Sequence, residues 1–193
     1  MKQLNAFILK ELLQEKDKET NIASLAKKCK KDYKTIYTII KRLEKKNLLS
    51  LTRFGQSWKI NLRSRPHPLL FEAEYLRQQQ ILKNKNLNMI VKYFKEGLKT
   101  PFFILLLFGS YAKHTQTKQS DIDLFFIHPD TDTHFEKKVM NITSLIPLKL
   151  HLNVYSETEF RSMKKSKETT VGSEVIKNNM ILYGIETYYH LIQ

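Results

Sequence analysis

The chain has a single cysteine, Cys29, in 193 residues, so it can form neither an internal disulfide nor a thiolate zinc cluster. Its 6 histidines are scattered without a His-x-x-x-His or similar spacing, which leaves a zinc site with no framework. Long apolar runs are also lacking. The longest, Phe102 to Phe108, falls far short of the roughly 20 residues a membrane helix needs. No signal-peptide pattern precedes Thr20. These absences lead us to expect a soluble, cytoplasmic protein in a reducing compartment, with no membrane partner.

Acidic residues are outnumbered, 19 to 33, and unevenly: residues 1–65 carry 17 basic and 6 acidic side chains, a net of +11, against +3 for the remainder. A concentrated positive field steers in polyanions, either nucleic acid or an anionic membrane surface, and the motifs below favour nucleic acid. The length allows one large domain or two small ones. Two fit the charge asymmetry better.

Helical spacing of Leu4, Phe7, Ile8, Leu12 and Leu13 predicts a first amphipathic helix. Asn21 is placed to cap a short second helix, Ile22 to Cys29, in which Cys29 reads as a small core residue. Asp32 caps a third, running to about Lys46 with Ile36, Ile39, Ile40 and Leu43 inward. The runs Leu48–Arg53 and Ser57–Leu62, joined through Phe54, Gly55 and Gln56, read as a hairpin. Arg63 to Pro68 breaks regular structure and marks a boundary. A long helical stretch follows, interrupted around Asn84 to Asn88, and it stops between Gly97 and Pro101. Beyond it we expect a buried strand at Phe102–Phe108, a second at Ile122–Ile127, a helix at Phe135–Leu145 and a third strand at Leu148–Tyr155. Helices are expected over Glu157–Lys164 and Val171–Tyr183.

On a strand, Asp121 and Asp123 project to one side while Ile122 and Leu124 project to the other. Two like charges held together at the end of an apolar strand repel and call for a compensating cation. Mg²⁺, with Mn²⁺ as a substitute, suits two carboxylates plus phosphate oxygens. Gly109 ends the preceding strand, and the sequence Gly109-Ser110-Tyr111-Ala112-Lys113 reads as a tight turn into one helical turn. Free backbone N–H groups there suit phosphate. Ser110 could add a hydroxyl, Lys113 a charge, and Ser120 closes the polar loop that leads to Asp121.

The order of buried strand, Gly-Ser, polar loop and Asp-Ile-Asp on a second buried strand, in GSYAKHTQTKQSDIDL, resembles the minimal nucleotidyltransferases of the DNA polymerase beta superfamily. The resemblance runs from about Leu98 to Tyr189. It implies that Asp121 and Asp123 ligate Mg²⁺, that Gly109 and Ser110 cradle a nucleoside triphosphate, and that a nucleoside monophosphate is transferred in line with release of pyrophosphate. Two positions depart from the pattern. His114 stands where the family often has glycine, and the strand LKLHLNVY, which should supply a third acid, has none. Lys149, His151, Asn153 and Tyr155 share its polar face, and His151 holds the place of the acid as a candidate ligand or general base.

The order helix, helix, helix, hairpin over residues 1–62 resembles a winged helix-turn-helix domain. That resemblance implies double-stranded DNA as partner. The third helix would enter the major groove with Lys34, Thr35, Thr38, Lys41 and Arg42, and the hairpin wing would bring Arg53 and Lys59 to phosphate. Tyr33, Tyr37 and Trp58 read as packing residues. The expected fold is therefore α+β: a winged helix of three helices plus a β-hairpin (1–62), connecting helices (63–97), and a small mixed-sheet nucleotidyltransferase domain with flanking helices (98–193). Three functions remain open: a transferase acting on a protein or RNA acceptor, a DNA-binding regulator whose second domain binds nucleotide without turnover, and a toxin-antitoxin component. A homodimer on a two-fold DNA site follows from the same resemblance.

Overall fold

Side-chain caps and apolar stripes build the first helices. In the computed structural model, which describes residues 2–16, 19–55, 57–117, 119–165 and 171–193, α1 spans Lys2–Gln14, α2 Ile22–Lys28 and α3 Tyr33–Lys45. Asn21 and Ser24 form a reciprocal capping box at α2. Asp32 caps α3 by accepting from the Thr35 N–H at 2.8 Å and the Thr35 hydroxyl at 2.6 Å, and these bonds hold its carboxyl below the usual aspartate range. Ile8, Leu9, Leu12 and Leu13 of α1 are buried, while Phe7, expected on that stripe, is exposed. Cys29 is a free, buried thiol, pushed up from its ordinary pKa by burial and then by Glu11.

The strands β1 (Leu49–Phe54) and β2 (Ser57–Leu62) pair antiparallel, Leu49 opposite Leu62 and Phe54 opposite Ser57. Gln56, in the expected turn, lies outside the described residues. The Ile60 N–H donates to the Thr20 carbonyl at 3.0 Å and Asn21 bridges Lys59, so the segment before α2 adds a short third edge to the hairpin. Trp58 is half-buried rather than core, although it lies on the same face of β2 as the buried Ile60.

The chain divides into two units, residues 1–77 with 192–193, and 78–191. Between the hairpin and the larger sheet come α4 (Pro68–Ile81) and α5 (Lys85–Leu98). Within α4, Arg77 and Glu74 form an ion pair of 2.7 Å that is almost wholly buried.

In the second unit α5 is followed by β3 (Ile104–Leu107), α6 (Gly109–Ala112), β4 (Ile122–His128), α7 (Phe135–Thr143), β5 (Leu150–Ser156), α8 (Glu157–Lys165), α9 (Val171–Lys177), β6 (Met180–Tyr183) and α10 (Ile185–Leu191). The sheet order is β5-β4-β3-β6, with β4 and β5 parallel and β3 antiparallel to both its neighbours. One face packs against Leu87, Ile90, Val91, Phe94 and Leu98 of α5 and Phe135, Val139 and Ile142 of α7. On the other, Phe125 meets Phe160 of α8 edge to face at 5.9 Å. Both faces of β3 and β4 are thus covered, as continuous apolar runs require. Each buried phenylalanine contributes roughly 2–3 kcal/mol of hydrophobic stabilisation.

Two local expectations need correction. Helix does not continue to Tyr183: α9 ends at Lys177, Asn179 turns its amide back to the Val175 carbonyl at 2.6 Å, and Met180–Tyr183 becomes the edge strand β6 against β3. Short apolar runs are ambiguous by periodicity, and here the open edge of β3 decides. Phe102, expected in β3, is 70% exposed and precedes it. The helix does stop within Gly97–Pro101, α5 ending at Leu98; Gly97 is its penultimate residue, and its missing Cβ makes room for Ile142, whose Cδ1 would lie 2.8 Å from such an atom. The left-handed cap is Lys99, at φ +53°.

Candidate functional site

The site is built where β3 ends beside the start of β4. The Phe108 N–H donates to the Asp123 carbonyl at 3.1 Å, extending the β3–β4 ladder by one step and setting Gly109 against Asp123. Gly109 then turns at φ +64°, a conformation in which glycine alone is unstrained. A Cβ there would fall on the Asp123 carboxylate, 2.9 Å from its Cγ. The absent side chain is what lets turn and carboxylate touch.

The first N–H groups of α6 have no intrahelical carbonyl to meet, and the Ser110 hydroxyl has no partner among the described residues. Turn and carboxylate therefore combine open backbone donors, a hydroxyl and an acid in one place. His114, after α6, adopts φ +56°. A glycine would occupy that position without strain, and histidine is among the side chains that tolerate it best.

Asp121 is exposed just before β4 and Asp123 is half-buried on it. The parallel pairing of β4 with β5 sets Asp123 opposite His151, and His151 Nδ1 lies 3.0 Å from Asp123 Oδ1. The imidazole is 65% exposed and the carboxylate 23%, so Asp123 orients a ring that is largely open to solvent. Asn153, two residues on, has its amide nitrogen buried without a hydrogen-bond partner. Among the described residues no group of three His, Cys, Asp or Glu is placed to hold a metal. Two carboxylates remain, and this donor set fits Mg²⁺, which takes one or two carboxylates and fills its shell with phosphate oxygens and water.

The other expected contacts are less open. Lys113 Nζ is paired with Glu174 of α9 at 3.1 Å, and Ser120 Oγ accepts from the Thr117 N–H at 2.9 Å within its own loop. Glu174 is the residue that sequence reading passes over. It lies 61 positions from Lys113, and no local signal connects the two.

In the first unit Lys34 and Arg53 are exposed, with no ion pair among the described residues. Thr35 is occupied in the α3 cap and the Thr38 hydroxyl donates to the Lys34 carbonyl at 2.8 Å. Lys41 is paired with Glu44 at 2.9 Å and Lys59 with Glu19 at 2.5 Å. Arg42 is exposed on the same face. Tyr33 and Tyr37 are not packed into the core but stand exposed and stacked on one another.

The family model described as "Polymerase beta, Nucleotidyltransferase" matches residues 88–187, just over half of the chain. The chain belongs to this nucleotidyltransferase family. A protein of Methanocaldococcus jannaschii named as a candidate protein adenylyltransferase is 31% identical over 84 residues, 44% of this chain and 57% of the relative. The chain thus spans a little over half the length of that curated relative. Among solved structures, one described as a toxin-antitoxin with AMP-PNP is similar at a TM-score of 0.40 and 24% identity, over 55% of this chain and 80% of that one. The family's matched segment contains Gly109, Ser110, Asp121, Asp123 and His151 together. No helix among the described residues is long and apolar enough to cross a membrane.

Proposed function

We propose that the second unit transfers a nucleoside monophosphate from a nucleoside triphosphate to a hydroxyl on a protein or RNA acceptor. The observation that carries this is the contact between the Gly109 turn and Asp123, which sets backbone N–H groups beside a carboxylate. Gly109 and Ser110 bind the triphosphate through backbone N–H groups and the Ser110 hydroxyl, while Lys113 leaves Glu174 to meet phosphate charge. Ser120 steadies the loop. Asp121 and Asp123 would hold Mg²⁺ or Mn²⁺, which when bound supplies Lewis-acid stabilisation of charge on the phosphoryl oxygens. The acceptor oxygen bonds to the α-phosphorus as the bond to the bridging oxygen breaks and pyrophosphate leaves. His151, held through Nδ1 by Asp123, takes the acceptor's proton at Nε2.

The first unit, on this reading, is a winged helix that brings the enzyme to double-stranded DNA, with α3 in the major groove and the hairpin as wing. Lys34 and Arg53 are its open cations, Arg42 is exposed on α3, and Thr35, Thr38, Lys41 and Lys59 would exchange internal bonds for DNA contacts. DNA binding belongs to residues 1–62 and transfer to 98–193, with 63–97 connecting them. A homodimer would match a two-fold DNA site.

A second reading is favoured by the missing third acid on β5: a DNA-binding regulator that holds nucleotide without turning it over. One experiment separates the two. The protein is incubated with Mg²⁺, α-labelled nucleoside triphosphates and candidate protein and RNA acceptors, beside the Asp121→Ala/Asp123→Ala double variant. Label transfer that the double variant loses establishes the enzyme. Nucleotide binding without label on any acceptor, together with tight binding of a specific duplex, establishes the regulator.

A further inference from the structure

The surface of α3 and the hairpin carries a line of rings that the proposed duplex contacts leave unused. Tyr33 and Tyr37, one turn apart on α3, are 50% and 36% exposed. Their rings lie 14° from parallel with centroids 6.2 Å apart. A further turn along, Lys41 Nζ stands 5.9 Å from the Tyr37 ring centroid and 5.5 Å from that of Trp58 on β2. Tyr33, Tyr37, Lys41 and Trp58 therefore form one continuous strip from the start of α3 to the hairpin. The packing of α3 does not need it, since the buried stripe is Ile36, Ile39, Ile40 and Leu43.

Lys41 bridges two rings while Glu44 meets its charge at 2.9 Å; toward a single strand it keeps that bond and fixes the rings, and it gives the bond up only to a duplex. Positive charge for a polyanion comes from the flank. Lys34 is exposed beside Tyr33, in a segment where residues 1–65 hold 17 basic side chains against 6 acidic.

Ring faces have little to offer an intact duplex, whose bases are stacked on each other and show only their edges in the grooves. A single strand exposes base faces, and base–aromatic stacking then contributes about 1–3 kcal/mol per base. Tyr33 and Tyr37, near-parallel and exposed one turn apart, extend such a stacking platform along α3.

We infer that this strip is a docking surface for single-stranded DNA, with a base stacked at Tyr33 and Tyr37 and the backbone following Lys34. The inference deepens the DNA-binding reading of the first unit and rests on it. DNA is preferred to RNA because the strip lies on the α3 and hairpin surface that the DNA-binding reading already assigns to DNA. A second copy of the chain is disfavoured by the like charge of the two faces.

The full chain is titrated by fluorescence anisotropy, at fixed salt, with labelled oligothymidine, oligouridine and a mixed-sequence duplex. Tyr33→Ala/Tyr37→Ala is expected to weaken oligothymidine binding by roughly 10-fold or more and to leave duplex binding within about 2-fold, since duplex binding is mainly phosphate-driven. Tyr33→Phe/Tyr37→Phe keeps the stacking faces and should restore wild-type affinity, while Lys34→Ala should weaken both DNA forms. Unchanged oligothymidine affinity in the alanine variant, with duplex binding intact, overturns the strip alone. Equal losses on duplex and single strand overturn it too, as does tighter binding of oligouridine than of oligothymidine. If the wild type binds neither DNA form, the DNA-binding reading fails and the strip with it.

Discussion

Replacing Gly109 with alanine tests the contact on which the proposed site depends. The substitution has two separable costs. At φ +64° an L side chain loses roughly 1–2 kcal/mol from backbone conformation alone. The new Cβ also meets the Asp123 side chain, 2.9 Å from Cγ and 3.3 Å from Cβ, so the carboxylate must rotate and give up its 3.0 Å bond to His151. That pair, its imidazole open to solvent and its carboxylate half-buried, contributes about 1 kcal/mol. The sum is about 2–3 kcal/mol, or roughly 5–10 °C in the melting temperature of the unit. Asp123→Ala removes the obstacle, so in that background Gly109→Ala should cost only the backbone share, leaving a coupling of about 1 kcal/mol. Thermal unfolding followed by circular dichroism measures all four proteins, and a fluorescent nucleotide with Mg²⁺ measures binding. Gly109→Ala should weaken nucleotide binding at least ~10-fold, as misplacing a group at a metal site commonly does. Gly184→Ala is the control. Its Cβ would stand 2.7 Å from the Phe103 carbonyl, so it destabilises the sheet but, assayed well below its melting point, should still bind nucleotide. Additive costs of Gly109→Ala and Asp123→Ala, or wild-type nucleotide binding by Gly109→Ala, would refute the reasoning.

Other outcomes follow from single contacts. Gly97→Ala should lose about 1–2 kcal/mol by urea unfolding despite alanine's better helix propensity, because its Cβ meets Cδ1 and Cγ1 of Ile142, and in an Ile142→Ala background, which lacks both atoms, the same change should cost little. Glu174→Gln frees Lys113 and should tighten nucleotide binding by roughly 2- to 5-fold, an effect that shrinks with added salt as an exposed ion pair requires. Asp130 is held below the usual aspartate range by the Thr158 backbone N–H and then by its hydroxyl. A depressed folded-state pKa stabilises above the unfolded value of about 4 and is lost as pH falls through the folded one. The melting temperatures of wild type and Asp130→Asn should accordingly differ at neutral pH and converge in acid.

Much of this was legible because it is local. Asn21 and Asp32 cap their helices through bonds to residues three positions on, within the span a reader of sequence sees. The 2-residue period of β4 and β5 placed Asp123 and His151 on faces that meet once the strands pair in parallel. The errors lie where the deciding partner is remote. Met180–Tyr183 is apolar enough for either helix or strand, and it becomes a strand because β3 offers an open edge to it. Phe102 continues the apolar run of β3 in sequence, yet it stands 70% exposed before the strand begins.

From residues alone one can derive the glycine–serine turn, the carboxylate pair, the absence of a third acid on β5 and the charge gathered in the first 65 residues, because composition and short-range spacing carry them. Tertiary structure decided that Gly109 lies against Asp123, that Asp123 holds the His151 ring, that Glu174 occupies Lys113, and that Tyr33 and Tyr37 face solvent. Most of these facts depend on side chains brought together from distant points in the chain, and even the exposure of the two tyrosines depends on what the rest of the fold leaves uncovered. Sequence spacing specifies which way a side chain leaves its own strand or helix. Only the assembled layers specify what it meets there.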